Sequence, residues 1–348
     1  MLIALIALAA AAGAQVVPNP VNPQVPPSFS TGDCVSSTLS FNKDSVYLLA
    51  GSDAARYSVD RSKYDWTLDY GDATFSGSTA SLNLLRPTGA SSTTPGQSAR
   101  ISTTRYVRYA KITARFKPAT AAGVVTTFIT FSDKQQMANI SGELTQDEID
   151  WEIVGKNPAR PETNVFTIRT QDLERGLHGG PIGSDIDPSV AHDFTIDWRS
   201  DRIVWSIDGV VMRTLLKSEA RAVRNASIPS GLPWFPELAS RVQISIWDGS
   251  ITQGSWAGSP VPWDSSNKFS APFEYITIDC YDDKNNVVPR WSTDGSGRDT
   301  IETPPQVDPL PTDNRQKGTH GSAAIGMFSL VSVLAAACTA AMAAWAVL

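Results

Sequence analysis

The hexapeptide Asp147-Glu148-Ile149-Asp150-Trp151-Glu152 alternates carboxylates with large apolar residues. In a β-strand, side chains at positions i, i+2 and i+4 lie on one face. The carboxylates at 148, 150 and 152 are therefore expected on one face and the two apolar residues on the other. Burial of the apolar face would fix the register of the acids. Gly142 before the stretch and Gly155-Lys156-Asn157-Pro158 after it predict one ordered strand.

Three neighbouring carboxylates are unfavourable for folding, because like charges crowd one partly desolvated surface. One chemistry that such a row could serve is glycoside hydrolysis with retention, which needs two carboxyl groups roughly 5–5.5 Å apart. Residues i and i+4 of a strand lie about 13 Å apart, so Glu148 and Glu152 must lean together over a curved strand. Asp150 between them would push their pKa values apart. A solvated acidic edge and a calcium-binding face are the alternatives, although calcium favours loops rich in Asp, Asn and Gly.

The rest of the chain predicts an all-β fold. From Thr38 to Asp282, short strand-like segments alternate with turn residues, and Asp208-Gly209 predicts a tight hairpin turn. The segment Arg105 to Lys117 changes its alternation midway, which predicts a bend or bulge. A short helix is expected near Ser218 to Val223. This pattern favours a two-sheet β-sandwich jelly roll of the concanavalin A-like lectin/glucanase type.

The motif Glu148-x-Asp150-x-Glu152 resembles the signature of glycoside hydrolase family 16 in its form without a β-bulge. The chain over residues 34–285 is similar to the fungal Crh branch, the cell-wall chitin–glucan transglycosylases. The segments that carry this likeness are Arg105 to Pro118, Gly123 to Ser132, His192 to Trp198, Ile203 to Gly209, Arg241 to Trp247, Trp256 to Gly258 and Ile278 to Asp282. The resemblance implies that Glu148 is the nucleophile, Glu152 the acid/base and Asp150 their helper.

Several features depart from that family pattern. Trp151 is bulkier than the usual residue at its position, and Ile246-Trp-Asp-Gly-Ser250 replaces the expected Trp-Pro-Gly-Gly. The loop from Asp248 to Ser255 is short, and there is no cysteine-dense chitin-binding module. These departures leave the sugar specificity open.

A second strand supplies candidate sugar-binding residues. In Gln243-Ile-Ser-Ile-Trp247 the polar residues share a face with the tryptophan, whereas the isoleucines are expected in the core. A tryptophan on a polar face is most simply explained by a ligand, since sugars present C–H faces to aromatic rings. The resemblance also implies sugar contacts for Gln243 and Trp247. Ser255 and Trp256 are further candidates, with a core role as the alternative for each tryptophan, and Arg115 faces either the cleft or solvent.

Composition excludes some functions. The chain has 348 residues, 41% of them hydrophobic, which suffices for one large domain with tails. The formal net charge is −6 and there is no Lys/Arg run, so a nucleic-acid partner is not expected. Neutral polysaccharides are compatible partners. The histidines at 178, 192 and 320 lack ligand spacing, so neither a metal nor another cofactor is expected.

Both ends carry apolar segments. Met1 to Ala14 is apolar and ends in small residues before a proline series, which predicts a signal peptide rather than a buried helix. Ala323 to Leu348 predicts a GPI-signal tail, with a transmembrane helix as the alternative. The expected attachment residue is Asn314, with Gly318 and Ser322 as alternatives. The predicted segments are the signal peptide 1–14, a Pro-rich segment 15–33, the catalytic domain 34–285, a stalk 286–322 and the tail 323–348.

Three cysteines and two glycosylation sequons bear on the compartment. Cys338 lies in the predicted tail, which leaves Cys34 and Cys280 as a pair for one disulfide in a secreted protein. Two unpaired buried thiols are the alternative. Asn139 and Asn225 begin Asn-x-Ser sequons, which predict N-glycans.

These observations predict a secreted, GPI-anchored retaining transglycosylase of the fungal cell wall. By the resemblance, it would break a β-1,4-linked chitin donor and transfer it to β-glucan or chitin acceptors, touching the membrane only through its lipid anchor. The acid row does not separate transfer from hydrolysis. An endo-β-1,3(4)-glucanase and a non-catalytic sugar-binding wall protein are the alternatives.

Overall fold

The computed structural model describes residues 33–49, 59–88, 94–132, 146–170, 173–176, 185–220, 235–282 and 284–292. The predicted signal peptide, both sequons, the hydrophobic tail and the candidate attachment residues lie outside this part. So do residues 221–223 of the predicted short helix, whereas its residues 218–220 form a turn and a bend. The elements in chain order are β1 Asp33–Val35, β2 Ser37–Ser40, β3 Val46–Leu48, β4 Trp66–Tyr70, β5 Asp72–Ser76, β6 Thr79–Leu85, β7 Ala99–Val107, β8 Ala110–Phe116, β9 Val124–Phe131, β10 Gln146–Val154, β11 Glu162–Thr170, β12 Leu173–Gly176, β13 His192–Trp198, β14 Arg202–Ile207, β15 Val210–Leu216, β16 Ser240–Asp248, α1 Gly254–Ala257, β17 Lys268–Tyr281, β18 Val287–Val288 and β19 Arg290–Ser292.

The strands form two large sheets, which confirms the predicted all-β sandwich of jelly-roll type. The first, called the acid sheet, has the order β12-β11-β10-β9-β16-β7-β4-β3, and the second has the order β15-β14-β13-β8-β17-β6-β5, with β2 and β18 also paired to β17. Neighbours in both sheets are antiparallel except β3 and β4. Within the described residues, no helix is long and apolar enough to cross a membrane.

The core between the sheets is built from the alternate residues of each strand. Ile149, Trp151 and Ile153 of β10 are fully buried there, as strand alternation predicts. The Trp151 ring meets Phe194 of the second sheet edge-on at 5.4 Å between centroids. The bulky Trp151 therefore lies in the sandwich core and spans the two sheets.

The structure contains the predicted tight turn and, in a different form, the predicted bend or bulge. Asp208 and Gly209 both have positive φ, 50° and 80°, and join β14 to β15 as the tight turn that was predicted. The expected bend between Arg105 and Lys117 is a full break. The chain leaves β7 in the acid sheet, passes Tyr109 at φ 59°, and enters β8 in the second sheet. The change of face in the sequence therefore marks a change of sheet.

The two ends of the described region are tied together. Cys34 and Cys280 form the predicted disulfide, with Cα atoms 5.9 Å apart. Next to it, β1 pairs with β19 and β18 pairs with β17. The assignment of residues 287–292 to the stalk, and of Asp33 to the Pro-rich segment, was therefore wrong, because backbone pairing builds them into the folded domain.

Candidate active site

The acid row lies on an unbroken strand at the middle of the acid sheet. β10 pairs with β9 and β11 without any register shift over the row, so the predicted absence of a bulge is correct. Because Trp151 and its apolar neighbours fill the core, Glu148, Asp150 and Glu152 project from the opposite surface. This surface is called the acid face.

Strand pairing arranges the acid face in rows, since residues directly opposite each other in antiparallel strands share a face. From β11 through β10 and β9 to β16, the rows are Phe166-Glu148-Phe131-Arg241, Asn164-Asp150-Ile129-Gln243 and Glu162-Glu152-Thr127-Ser245, followed by Val154-Val125-Trp247 on the last three of these strands. The predicted catalytic residues and the β16 candidates therefore lie on one surface. Arg115 does not join them, because it lies on the second sheet and pairs with Glu274 and Asp193.

The three carboxyls differ in environment. Asp150 is almost completely buried, and burial, the charges of its two neighbours and a hydrogen bond with Glu148 raise its pKa well above the ordinary value. Glu152 is half-buried, and burial together with the charges of Glu148 and Glu162 raises its pKa to about 8. Both shifts favour the protonated forms of these two groups. A protonated Asp150 can then donate its hydrogen bond to Glu148.

Asp147, the fourth carboxylate of the hexapeptide, has a structural role. Its Oδ2 accepts hydrogen bonds from the backbone N–H groups of Glu237 and Leu238 at 2.7 and 3.0 Å. It therefore anchors the segment that leads into β16.

The row through Asp150 contains buried polar atoms without a protein partner. Within the described part of the chain, Asp150 Oδ1, Asn164 Nδ2 and both amide atoms of Gln243 make no hydrogen bond. Buried polar atoms are normally paired. A polar ligand on the acid face is one partner that these donors and acceptors could take, and a sugar contact for Gln243 stays a prediction. Asn164 had no role in the sequence analysis, because only the β10–β11 register shows that it lies opposite Asp150.

Two tryptophans lie beyond the Glu152 row. Trp247 stacks against Trp256 with 6.0 Å between ring centroids and 28° between planes, and both pack on a small apolar cluster of Val125, Val154 and Ala257. Ile244 and Ile246 are in the main core, as the alternation predicted. Trp247 and Trp256 therefore form an aromatic pair outside that core.

The helix α1 carries the other two candidates. Ser255 is exposed, and its carbonyl accepts a hydrogen bond from Lys156 Nζ at 2.7 Å. The Trp256 indole N–H donates to Glu162 Oε2 at 2.9 Å. Glu162 was missed in the sequence analysis, because β11 begins with three polar residues and shows no clear alternation there.

Among the described residues, no group of three or more His, Cys, Asp and Glu side chains could hold a metal ion. His192, one of the histidines considered in the sequence, instead contacts Asp208 Oδ2 through Nδ1 at 2.6 Å and the Asp187 carbonyl through Nε2 at 2.8 Å. Its ring supports the β14–β15 hairpin, away from the acid face.

Comparison with known proteins gives consistent matches. Residues 60–267 match the model of Glycosyl hydrolases family 16. The chain is 34% identical over 192 residues to Crh-like protein 2 of Aspergillus fumigatus, a match covering 52% of this chain and 40% of that protein. It is 30% identical over 264 residues to Congo red hypersensitive protein 2 of Saccharomyces cerevisiae, covering 72% of this chain and 49% of that protein.

The matches thus span less than half the length of these two relatives. Among solved structures, the chain is similar to apo Crh5 transglycosylase, with a TM-score of 0.48 and 23% identity, over 77% of this chain and 90% of that one.

Proposed function

Because the chain belongs to glycosyl hydrolase family 16, we propose that it is a retaining transglycosylase of cell-wall polysaccharide. The observation that carries the proposal is the arrangement of Glu148, Asp150 and Glu152 on one face of an unbroken strand. Burial and neighbouring charges there raise the pKa of Asp150 and of Glu152. Retaining catalysis needs one ionised carboxylate and one carboxylic acid in the same site. Glu148 and Glu152 are assigned to these two roles.

In the first step, the Glu148 carboxylate attacks the anomeric carbon of the donor sugar, and the glycosidic bond breaks. Glu152 gives its proton to the departing glycosidic oxygen. The hydrogen bond from Asp150 orients Glu148 and favours its charged form. The products are a glycosyl ester on Glu148 and a free sugar chain.

In the second step, Glu152 is a carboxylate and takes a proton from an incoming hydroxyl. That oxygen attacks the anomeric carbon from the face that the leaving group vacated, and the Glu148 ester bond breaks. Two inversions give net retention. A sugar hydroxyl as the attacking group gives transfer, and water gives hydrolysis.

The substrate assignment rests on the polar row and the aromatic pair. Gln243 and Asn164 offer unpartnered amide groups, and Trp247 and Trp256 offer ring faces next to the Glu152 row. Neutral sugars present hydroxyls and C–H faces to such groups. The resemblance to the Crh branch implies chitin as the donor and β-glucan or chitin as the acceptor.

A secreted, wall-associated protein is part of the proposal. The disulfide between Cys34 and Cys280 supports an oxidising compartment. The apolar segments 1–14 and 323–348 support a signal peptide and a GPI anchor. The N-glycosylation sequons at Asn139 and Asn225 are compatible with secretion.

The proposal is tested by incubating the protein with chitin oligosaccharides and fluorescently labelled laminarin oligomers. Hybrid chains that carry the label are expected from the wild type and are expected to be absent with Glu148→Gln. Glu274→Gln, an exposed carboxylate of the second sheet, is the matched control and should behave as the wild type. Shortened glucan without hybrids would instead indicate a glucanase, and sugar binding without any product would indicate a binding protein.

A further inference from the structure

Glu162 lies directly opposite Glu152 in the β10–β11 pair. Side chains of such a pair have Cβ atoms about 4.5–5.5 Å apart, and like charges at this position destabilise a sheet. Glu162 is also not one of the three carboxylates of the catalytic motif. Its position therefore calls for an explanation.

Glu162 is held in place by a contact from outside its own sheet. The Trp256 indole N–H, which can only donate, bonds to Glu162 Oε2 at 2.9 Å. Trp256 itself is fixed by its stack on Trp247 and by the Lys156 bond to the carbonyl of Ser255. Contacts thus connect the aromatic pair to Glu162, and strand pairing places Glu162 opposite Glu152.

The acidic groups around Glu152 come from two strands. On its own strand it faces Glu148 and Asp150, and on β11 it faces Glu162. On β9 its neighbour is Thr127, whose hydroxyl is paired with that of Ser245 at 2.6 Å. Burial and the charges of Glu148 and Glu162 all raise the pKa of Glu152. Lys156, the cation that follows β10, is bonded to the Ser255 carbonyl.

We propose that Glu162, fixed by Trp256, is a positioning residue whose negative charge keeps Glu152 protonated in the resting enzyme. The assignment rests on the proposed role of Glu152 as the acid/base. Glu162 would act through Glu152 and would not touch the reacting atoms. It would set the upper pH limit at which Glu152 can still protonate the leaving oxygen.

The direct test is a carbon-13 NMR titration of labelled glutamate carboxyls, with the Glu152 resonance identified by its loss in Glu152→Gln. In Glu162→Gln, which keeps the shape and the acceptor for Trp256, we expect the pKa of Glu152 to fall by roughly one unit. Glu162→Asp keeps the charge and should retain at least about half of that effect. Glu274→Gln on the second sheet should leave the titration unchanged.

The same variants should differ in their pH–activity profiles. Because Glu152 must be protonated to act as an acid, the alkaline limb of kcat/KM should move to lower pH in Glu162→Gln by the amount seen in the titration. An unchanged Glu152 pKa in a folded Glu162→Gln, verified by thermal unfolding, would overturn the inference, as would equal shifts in Glu162→Gln and Glu162→Asp. The titration needs no turnover, so an inactive wild type would contradict the proposed function without obscuring this result.

Discussion

The indole N–H of Trp205 donates a hydrogen bond of 3.0 Å to the backbone carbonyl of Asp150, the central acid of the row. Trp205 belongs to β14 of the second sheet, so this bond crosses the sandwich. A second indole bond crosses in the opposite direction, from Trp151 to the carbonyl of Thr195 at 3.0 Å. The acid strand is therefore tied to the second sheet by directional bonds as well as by apolar packing.

Replacing Trp205 with Phe removes the bond to Asp150 while keeping an aromatic ring in the core. We expect the free energy of unfolding to fall by about 1–2 kcal/mol, because a buried hydrogen bond and some apolar contact are lost. The acid row should also lose part of its fixed geometry, so kcat should fall several-fold with little change in KM. Urea unfolding and steady-state kinetics measure the two effects.

Trp66→Phe is the matched control for this substitution. The Trp66 indole also donates to a backbone carbonyl, that of Ser40 at 3.0 Å, but it lies on β4, far along the sheet from β10. It should lose a similar amount of stability and keep its kcat. Equal losses of kcat in the two variants would show that the Trp205 bond has no special link to catalysis.

The raised pKa of Glu152 predicts a specific dependence of stability on pH. Its ordinary value is 4.5 and its folded value is about 8, so between these limits the folded state holds one proton more than the unfolded state. The contribution of Glu152 to the free energy of unfolding is therefore fully present below about pH 4.5. It is lost as the pH rises to about 8. Asp150, whose pKa is also raised, acts in the same direction.

Glu152→Gln should remove the Glu152 part of this dependence. Relative to the wild type, the variant should gain stability steadily between about pH 5 and about pH 8. Urea unfolding at several pH values measures the difference. A constant difference across this range would mean that Glu152 titrates normally in the folded protein.

The disulfide closes a loop between residues 246 positions apart. In the chain-entropy description, a loop of this size stabilises the folded state by about 5 kcal/mol. The free energy of unfolding of the double variant Cys34→Ala/Cys280→Ala, measured with urea, should be lower by that amount. Reduction of the wild type should reproduce the loss. Detection of free thiols at Cys34 and Cys280 in the unreduced, denatured wild type would contradict the pairing.

Trp247 is expected to contribute to sugar affinity through its ring face. Trp247→Ala should weaken binding of sugar oligomers about tenfold, the equivalent of about 1.4 kcal/mol. Trp247→Phe keeps a ring that can stack and should lose less than about threefold. Isothermal titration calorimetry measures both affinities, with each substitution made in the inactive Glu148→Gln background. If Trp247→Ala binds as tightly as Trp247→Phe and as the background, Trp247 is not part of the sugar site.

Much of this site was accessible from the sequence because strand alternation is a strong constraint. The interleaved Ile149 and Trp151 fix which face of β10 is buried, and Ile244 and Ile246 do the same for β16. The sequence therefore placed Gln243 and Trp247 on the face opposite the core, and the pairing of β16 with β9 puts them beside the acids.

The parts that were missed depend on register and on contacts between distant segments. Glu162 and Asn164 gain their positions from the length of the turn after β10, which sequence alone does not fix. The break at Tyr109 was predicted only as a bend, because a change of face looks the same whether the strand bulges or moves to the other sheet. Residues 287–292 were taken for stalk because short paired strands among polar residues carry little periodicity.

The central claim, that Glu148 forms a covalent bond with the sugar, is best tested in Glu152→Gln with a chitin oligosaccharide carrying an activated phenolic leaving group. Such a leaving group needs no acid, whereas the second step still needs a base, so the intermediate should accumulate. Intact-protein mass spectrometry should show the added glycosyl mass, and peptide mapping should locate it on Glu148. Turnover that yields a product of inverted configuration, or an adduct on any other residue, would contradict the mechanism.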